Sequence, residues 1–408
     1  MKLLQINPVW RTTTSTGRIM RELAEITAKV GWENYVAYSA GRDPLPPKGY
    51  PATPIPLGNR LSVAGHLLAT RLFDRHGLAS ARATQRFVNE IDKIKPDVIH
   101  IHNIHGYFLN YKILFDYLAH ACIPVIWTVH DCWMLTGHCY HYSAKKCDRW
   151  ITGCHDCPQK RNFPASYGFD RSRSNYRDKR EAFTRMPSDK LTMVSVSQWI
   201  SEEVRKSYLG RYNIVTIHNG IDTSVFRPDC GPLPPELQHL AGKKIVLGAA
   251  SVWSREKGLD DLIELGKRLC DNYMVVLVGA DLKKTYKNVT TVPRISDASK
   301  LARIYANATV FVNPTYQDNY PTVDLEAISC GTPVVVYDTG GCAEAINPST
   351  GVVVRPGDIN AVVSAVEEIS QIPRKTVQKQ CREYAVANFD KNKCFESYLN
   401  LYEKVTQK

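Results

Sequence analysis

The chain has 408 residues, of which 44% are apolar and 23% charged, the composition of a folded globular protein rather than a disordered one. That length suits two domains better than one core, and no apolar run approaches the ~18 residues that a membrane-spanning helix needs. The net charge of +12 is lopsided: residues 1–200 hold 27 Lys and Arg against 16 Asp and Glu, residues 201–408 hold 25 against 24. The first half is therefore expected to meet something anionic, or to carry a solubilising basic surface.

Leu3–Pro8 reads as a first buried strand, and the residues before it are too few and too polar for a signal peptide, so a cytoplasmic protein is expected. A first helix starts near Gly17, runs through Ile19, Leu23 and Ile26, and stops at Gly31. The run Thr12-Thr13-Thr14-Ser15-Thr16-Gly17 before it suits an anionic or hydroxylated ligand at a helix start, with Gly17 as a contact. It is not a three-glycine dinucleotide fingerprint, so no nicotinamide cofactor is indicated. Further strands are expected at Tyr35–Ser39, Val98–His102, Val125–His130, Met193–Ser197 and Ile214–His218, with the Pro-rich stretch 41–56 as a surface loop. Arg71, Arg75, Arg82 and Arg86 recur at near-helical spacing beside Leu67, Leu68, Leu72 and Phe73. That pattern describes one amphipathic helix, either resting on an anionic membrane or packed on its own domain.

Residues 131–180 have weak periodicity and are rich in Cys, Tyr, His and Arg, which marks an insertion. Cys139, Cys147, Cys154 and Cys157 are spaced by seven, six and two residues. Four thiolates fit a closed structural zinc site, and plain reduced thiols are the alternative.

The polar, Pro-containing stretch Asp222–Pro235 reads as a hinge. Beyond it the alternation of strand and helix begins again, with strands at Ile245–Ala249, Met274–Val278, Val310–Asn313 and Pro333–Tyr337. Repeated strand–helix units imply parallel sheets with crossover helices. Arg255-Glu256-Lys257-Gly258 opens a helix soon after one of these strands, where a cation meets a phosphate well. Asp318 and Glu326 flank a loop-to-helix passage that follows the strand ending at Asn313. Open α/β sheets bind ligands at that carboxyl edge.

Several of these runs resemble the retaining family-four glycosyltransferases. The carriers are His218-Asn219-Gly220-Ile221-Asp222 with Phe226 and Pro228, Lys257 before Gly258, Trp127-Thr128-Val129-His130-Asp131, and Asn313 to Ala327 followed by Cys330-Gly331-Thr332-Pro333. The cysteine-bearing segment looks most like the branch that makes colanic-acid-type and capsular polysaccharides. Where the family usually has Glu at both ends of its acidic pair, this chain has Asp318 and Glu326; the family's early Arg is absent, and Arg255 stands near its place.

The resemblance implies an α/β fold of two Rossmann-like domains facing across a cleft (GT-B type), with a C-terminal helix crossing back to the first domain. The first domain, residues 1–221, would take the acceptor and carry the insertion 131–180. The second, 222–388, would bind the nucleotide sugar, and 389–408 would return, with Lys391–Lys408 as the helix. By the same resemblance His130, Asp318 and Lys257 are catalytic, and Gly17, Arg255, Lys257, Asn319, Tyr320 and Glu326 contact the donor, a UDP- or GDP-sugar. No catalytic metal is required, since cationic groups can carry the charge a metal would neutralise. The acceptor is a saccharide or a lipid-linked saccharide, with peripheral association to an anionic membrane at its cytoplasmic face. A nucleotide-sugar isomerase of the same fold is the alternative. A zinc-dependent nucleic-acid-binding protein is a remoter one, because no aromatic–basic binding motif is present.

Overall fold

The computed structural model describes residues 1–407; Lys408, the end of the expected last helix, lies outside the described residues. The chain forms two compact units, one built from Met1–Ile217 with the chain from Phe395 onward, the other from His218–Cys394.

In the first unit the elements run β1 (Lys2–Ile6), α1 (Ser15–Lys29), β2 (Glu33–Ser39), β3 (Thr53–Leu57), α2 (Arg60–Phe73), α3 (Ala81–Ile94), β4 (Val98–Ile101), α4 (Tyr111–His120), β5 (Val125–Val129), α5 (Arg149–Thr152), α6 (Ser172–Phe183), β6 (Leu191–Ser195), α7 (Gln198–Lys206) and β7 (Asn213–Thr216). In the second they run β8 (Lys244–Ala249), α8 (Leu259–Arg268), β9 (Tyr273–Val278), β10 (Val289–Val292), α9 (Ala298–Asn307), β11 (Val310–Asn313), α10 (Thr322–Ser329), β12 (Val334–Tyr337), β13 (Gly351–Val354), α11 (Ile359–Ile369) and α12 (Arg374–Asn388). The last helix, α13 (Lys391–Thr406), begins in the second unit and continues into the first.

The two sheets share one plan. Their strand orders are β3-β2-β1-β4-β5-β6-β7 and β10-β9-β8-β11-β12-β13, and the paired strands run parallel. Each is the doubly wound order, in which the direction of winding reverses between the first strand and the fourth. Loops leaving those two strands at their carboxyl ends diverge and open a crevice there. In the first unit the crevice lies between the ends of β1 and β4, in the second between the ends of β8 and β11.

Burial explains why these segments are strands. Every residue of β4, β5, β11 and β12 is buried, as expected for strands covered by helices on both faces. The end of α13 completes the first core: Phe395, Tyr398, Leu401 and Tyr402 join Leu3, Ile19, Leu23, Val98 and Ile126 in one apolar cluster. Inside it His100 is hydrogen-bonded on both ring nitrogens, to the Tyr402 hydroxyl at 2.6 Å and the Thr128 hydroxyl at 2.7 Å, so a buried polar ring costs little here.

The structure revises several expectations. The Pro-rich stretch is not all loop, since Thr53–Leu57 forms β3. It sits at the sheet edge, where a proline need not donate to a second neighbour. The chain divides at Ile217/His218, a few residues before the expected hinge, and the stretch after it is anchored in the second unit. Arg382 donates to the carbonyls of Phe226 and Thr223, both at 2.9 Å, and Lys391 pairs with Asp222 at 2.7 Å. The single amphipathic helix is two helices. Asp74 takes a left-handed φ of 50° and ends α2, so Arg71 lies on α2 while Arg82 and Arg86 lie on α3.

Candidate functional site

In the second unit the loops after β8 and β11 are locked together at the crevice. The Glu256 carbonyl accepts from the Tyr316 amide at 2.8 Å and the Thr315 hydroxyl at 3.2 Å. Gly258 makes that approach possible: its φ is +72°, and a Cβ there would lie 2.2 Å from the Pro314 carbonyl oxygen. This clamp brings Lys257 onto Asp318, Nζ to Oδ2 at 2.7 Å, with both side chains partly exposed. Asp318 is gripped from behind by the 340–341 turn. Gly340 has φ +56°, a Cβ on it would fall 1.9 Å from the Asp318 carbonyl oxygen, and the Gly341 amide donates to that oxygen at 3.4 Å.

A few residues after Asp318, α10 starts without a side-chain cap, which leaves its first-turn amides to other partners. Glu326 on that helix is buried and accepts from the Tyr305 hydroxyl at 3.4 Å. Asn319 and Tyr320 are buried as well, and the Tyr320 ring stacks on His218 at 4.8 Å between centroids. His218 Nε2 lies 3.3 Å from Oε2 of Glu344. Arg255 is exposed on the single 3-10 turn Arg255–Lys257.

Asp324 escaped the sequence reading. It is fully buried between the two expected acids in sequence, accepting from the Asn313 amide at 2.9 Å through Oδ1 while Oδ2 has no partner. Burial pushes its carboxyl well above the usual range. Nothing in the sequence distinguished it from an ordinary acidic residue in a first helical turn. His218 and Glu344 were likewise unassigned, being far apart in the chain.

In the first unit several histidines gather at the carboxyl ends of β4 and β5. His130 Nε2 lies 3.1 Å from His102 Nδ1, and His102 Nε2 lies 3.0 Å from Oε1 of Gln5. Gln5 uses its own amide nitrogen to donate to the Met20 carbonyl, so its oxygen is the acceptor. His102 then donates from Nε2 and accepts at Nδ1, and His130 donates from Nε2 and keeps Nδ1 as its acceptor nitrogen. Burial pushes the His130 imidazole down to about 4. Beside it His105 Nε2 meets Oδ2 of Asp131 at 2.6 Å, a pair that sequence reading missed. Burial raises the Asp131 carboxyl, but the His105 contact and the Trp133 amide outweigh it, and the net shift is downward. Gly17 is committed to α1: its amide donates to the capping Thr14 hydroxyl at 3.2 Å, and a Cβ there would fall 2.2 Å from the Arg11 carbonyl oxygen.

Cys139, Cys147, Cys154 and Cys157 border one small cavity together with His138. Cys139 and Cys157 share a thiol hydrogen bond that lowers Cys157 to about 7, while Cys154 accepts from the Gly137 amide at 3.1 Å. Among the described residues no group of three or more His, Cys, Asp or Glu is arranged to hold a metal ion. Buried Lys179 braces the insertion, donating to the carbonyls of Trp133 at 2.7 Å and Thr136 at 2.9 Å.

Comparison with known proteins matches two family models, "Glycosyltransferase Family 4" over residues 16–225 and "Glycosyl transferases group 1" over residues 236–387. The chain is 25% identical to the putative colanic acid biosynthesis glycosyl transferase WcaC of Escherichia coli K12, over 99% of this chain and 100% of that one. It is 29% identical to the N,N'-diacetylbacillosaminyl-diphospho-undecaprenol alpha-1,3-N-acetylgalactosaminyltransferase of Campylobacter jejuni, over 40% of this chain and 44% of that one. Among solved structures, Anabaena HepE in complex with UDP-glucose superposes with a TM-score of 0.64 at 14% identity, covering 99% of this chain and 100% of that one.

Proposed function

This chain belongs to glycosyltransferase family 4, with its second half in the group 1 glycosyl transferases, and from that premise we propose that it moves a sugar from a nucleotide-sugar donor, with retention at the anomeric carbon, onto a saccharide or lipid-linked saccharide. It is a glycosyltransferase of the GT-B type from the polysaccharide-biosynthesis branch. The reading of donor and site rests above all on the Lys257–Asp318 pair at the crevice between β8 and β11.

The donor diphosphate would draw Lys257 Nζ away from Asp318 and lie against it, with exposed Arg255 as a second cation and the uncapped start of α10 offering amides. Asp318, freed from the ammonium, would accept from hydroxyls of the donor sugar. Buried Glu326 would accept from the ribose hydroxyls, a charge-assisted bond that selects a nucleotide. In the transfer the acceptor oxygen bonds to the anomeric carbon on the face from which the diphosphate leaves. The carbon–oxygen bond to the diphosphate breaks, and the acceptor proton passes to a diphosphate oxygen. Lys257 then stabilises the negative charge that grows on the leaving group. In the first unit His130, kept neutral by burial, would contact the acceptor hydroxyl.

UDP is the favoured nucleotide, because HepE, similar in fold, forms a complex with UDP-glucose. The undecaprenol-linked substrate in the name of the Campylobacter relative favours a lipid-linked acceptor. The test is incubation with labelled UDP-, GDP- and ADP-sugars and lipid extract, followed by product analysis. Label appearing in an α-linked product from an α-linked donor supports the proposal. Interconversion of the nucleotide sugar without an acceptor would identify an isomerase, and an inverted product would refute retention.

A further inference from the structure

Helix α2 is folded the wrong way round for a helix that serves only its own core. Its fully buried side chains are polar, His66 and Thr70. Both ring nitrogens of His66 are engaged, Nδ1 with the Ser80 hydroxyl at 2.9 Å and Nε2 with the Gly77 amide at 2.9 Å, and the Thr70 hydroxyl donates to the His66 carbonyl. Three of its four leucines face out, while Leu67 is half-buried. Leu61 is 82% exposed, Leu68 58% and Leu72 44%, and Phe73 at its end is 48% exposed. Positions 61, 68 and 72 fall on one helical face. An amphipathic helix normally buries that stripe.

The apolar surface continues onto a second segment. The Tyr167 amide donates to the Arg71 carbonyl at 2.8 Å and the Phe169 amide to the Leu72 carbonyl at 3.2 Å, which ties the 167–169 loop to the end of α2. Gly168 fits where a Cβ would lie 2.1 Å from the Leu72 carbonyl oxygen. The Phe169 ring stacks on Phe73 with centroids 6.1 Å apart and planes 14° apart, and Tyr167 and Phe169 are each 64% exposed. Arg71 donates to the Tyr167 hydroxyl at 2.9 Å and lies over its ring, so a cation is built into the patch.

The surroundings are basic. The stretches 60–75 and 158–173 hold Arg60, Arg71, Arg75, Lys160, Arg161, Arg171 and Arg173 against Asp74 and Asp170, with Arg171 also paired to Asp178 at 3.7 Å. Neither carboxylate is spare: Asp74 is buried against His138 at 2.6 Å, and Asp170 accepts the amides of Cys157 and Ser172.

We propose that this face, Leu61, Leu68, Leu72 and Phe73 of α2 with Tyr167 and Phe169, docks on an anionic lipid bilayer. The apolar side chains enter the boundary between headgroups and acyl chains, and the arginines and lysines meet the lipid phosphates. Charge decides the occupant. A second copy of the chain would set the same cations against one another at short range, whereas an anionic bilayer neutralises them. The use of this docking, delivery of the first unit to a lipid-linked acceptor, rests on the function proposed above; the docking itself does not.

The test is co-sedimentation of the full chain with vesicles of phosphatidylcholine alone, or mixed with phosphatidylglycerol, at low and high salt. The exposed positions allow the double variant Phe73→Ser/Phe169→Ser to keep the wild-type melting temperature. Binding to anionic vesicles only, weakened by salt and cut about tenfold or more in that variant, supports the proposal. A Phe169→Trp variant whose fluorescence shifts to the blue on adding anionic vesicles supports insertion of this same loop. Three results overturn it: no binding at low salt, binding that the double variant leaves unchanged, or a wild-type dimer in light scattering that the double variant dissolves without any vesicle binding. Because none of these readouts needs sugar transfer, failure of docking and failure of the transferase reading are separable.

Discussion

Lys257 and Asp318 stand 61 residues apart in sequence and 2.7 Å apart in space, joined across the crevice where the second sheet changes its winding direction. The contact exists because Gly258 lets the β8 loop touch Pro314 and Gly340 lets a third loop press on the backbone of Asp318. It predicts a hierarchy among substitutions. Lys257→Ala is expected to cost about 2–4 kcal/mol of transition-state stabilisation, read as a fall in kcat/KM, with the fold unchanged. Asp318→Glu keeps the pair and should be tolerated, while Asp318→Asn should be far worse. Equal activity in the two Asp318 variants would show that this carboxylate only positions its loop.

Asp324 yields a prediction about stability alone. Its carboxyl is raised by burial, so the folded state holds a proton that the unfolded state has lost once the pH passes the ordinary carboxyl range. Stability from this group therefore falls as pH rises above about 4. Asp324→Asn removes the titration while keeping shape, and thermal melts should show the variant gaining on wild type as pH increases. A variant that loses ground instead would mean that Asp324 is charged in the folded protein.

How far the fold could be read in advance depended on burial. The interior strands announced themselves as apolar runs. The three strands not foreseen, β3, β10 and β13, are all edge strands, half-exposed and correspondingly mixed in composition. Lys257, Asp318, Glu326 and His130 could be singled out because they fall in runs that resemble the family's motifs. The His102–His130 contact, the His105–Asp131 pair and the partnerless oxygen of Asp324 could not, because each depends on which side chains from separate strands or loops meet. The inverted face of α2 was hidden for the same reason: periodicity locates the stripe of leucines but does not say which way it points.

Lys179 makes the Cys-rich insertion testable. Burial lowers its ammonium to about 7 from 10.5, so between those values the unfolded chain binds more protons than the folded one, and this group's contribution to stability rises with pH. Lys179→Met leaves the Trp133 and Thr136 carbonyls without their donor, which should destabilise by about 1–3 kcal/mol near neutral pH. The gap between wild type and variant should widen toward alkaline pH in denaturant titrations. A constant gap would contradict the buried-lysine account.

The buried histidines of the first unit predict acid sensitivity. Burial lowers His130 to about 4 and drives His100 and His102 down too. Unfolding therefore takes up protons once the pH drops below about 6.5, and stability is lost progressively toward pH 4. His130→Asn should flatten part of that slope in denaturant titrations across this range. An unchanged slope would show that His130 titrates normally and is not the neutral, acceptor-bearing ring described above.

The central claim is that the crevice of the second unit binds a nucleoside diphosphate through Lys257 and Glu326. Calorimetric titration of UDP and GDP into the wild type, Lys257→Ala and Glu326→Gln tests it without knowledge of the acceptor. The account predicts one site per chain and a loss of affinity of about tenfold or more in each variant, since each removes one charge-assisted bond. Undiminished nucleotide binding by both variants, with their folds intact, would contradict it.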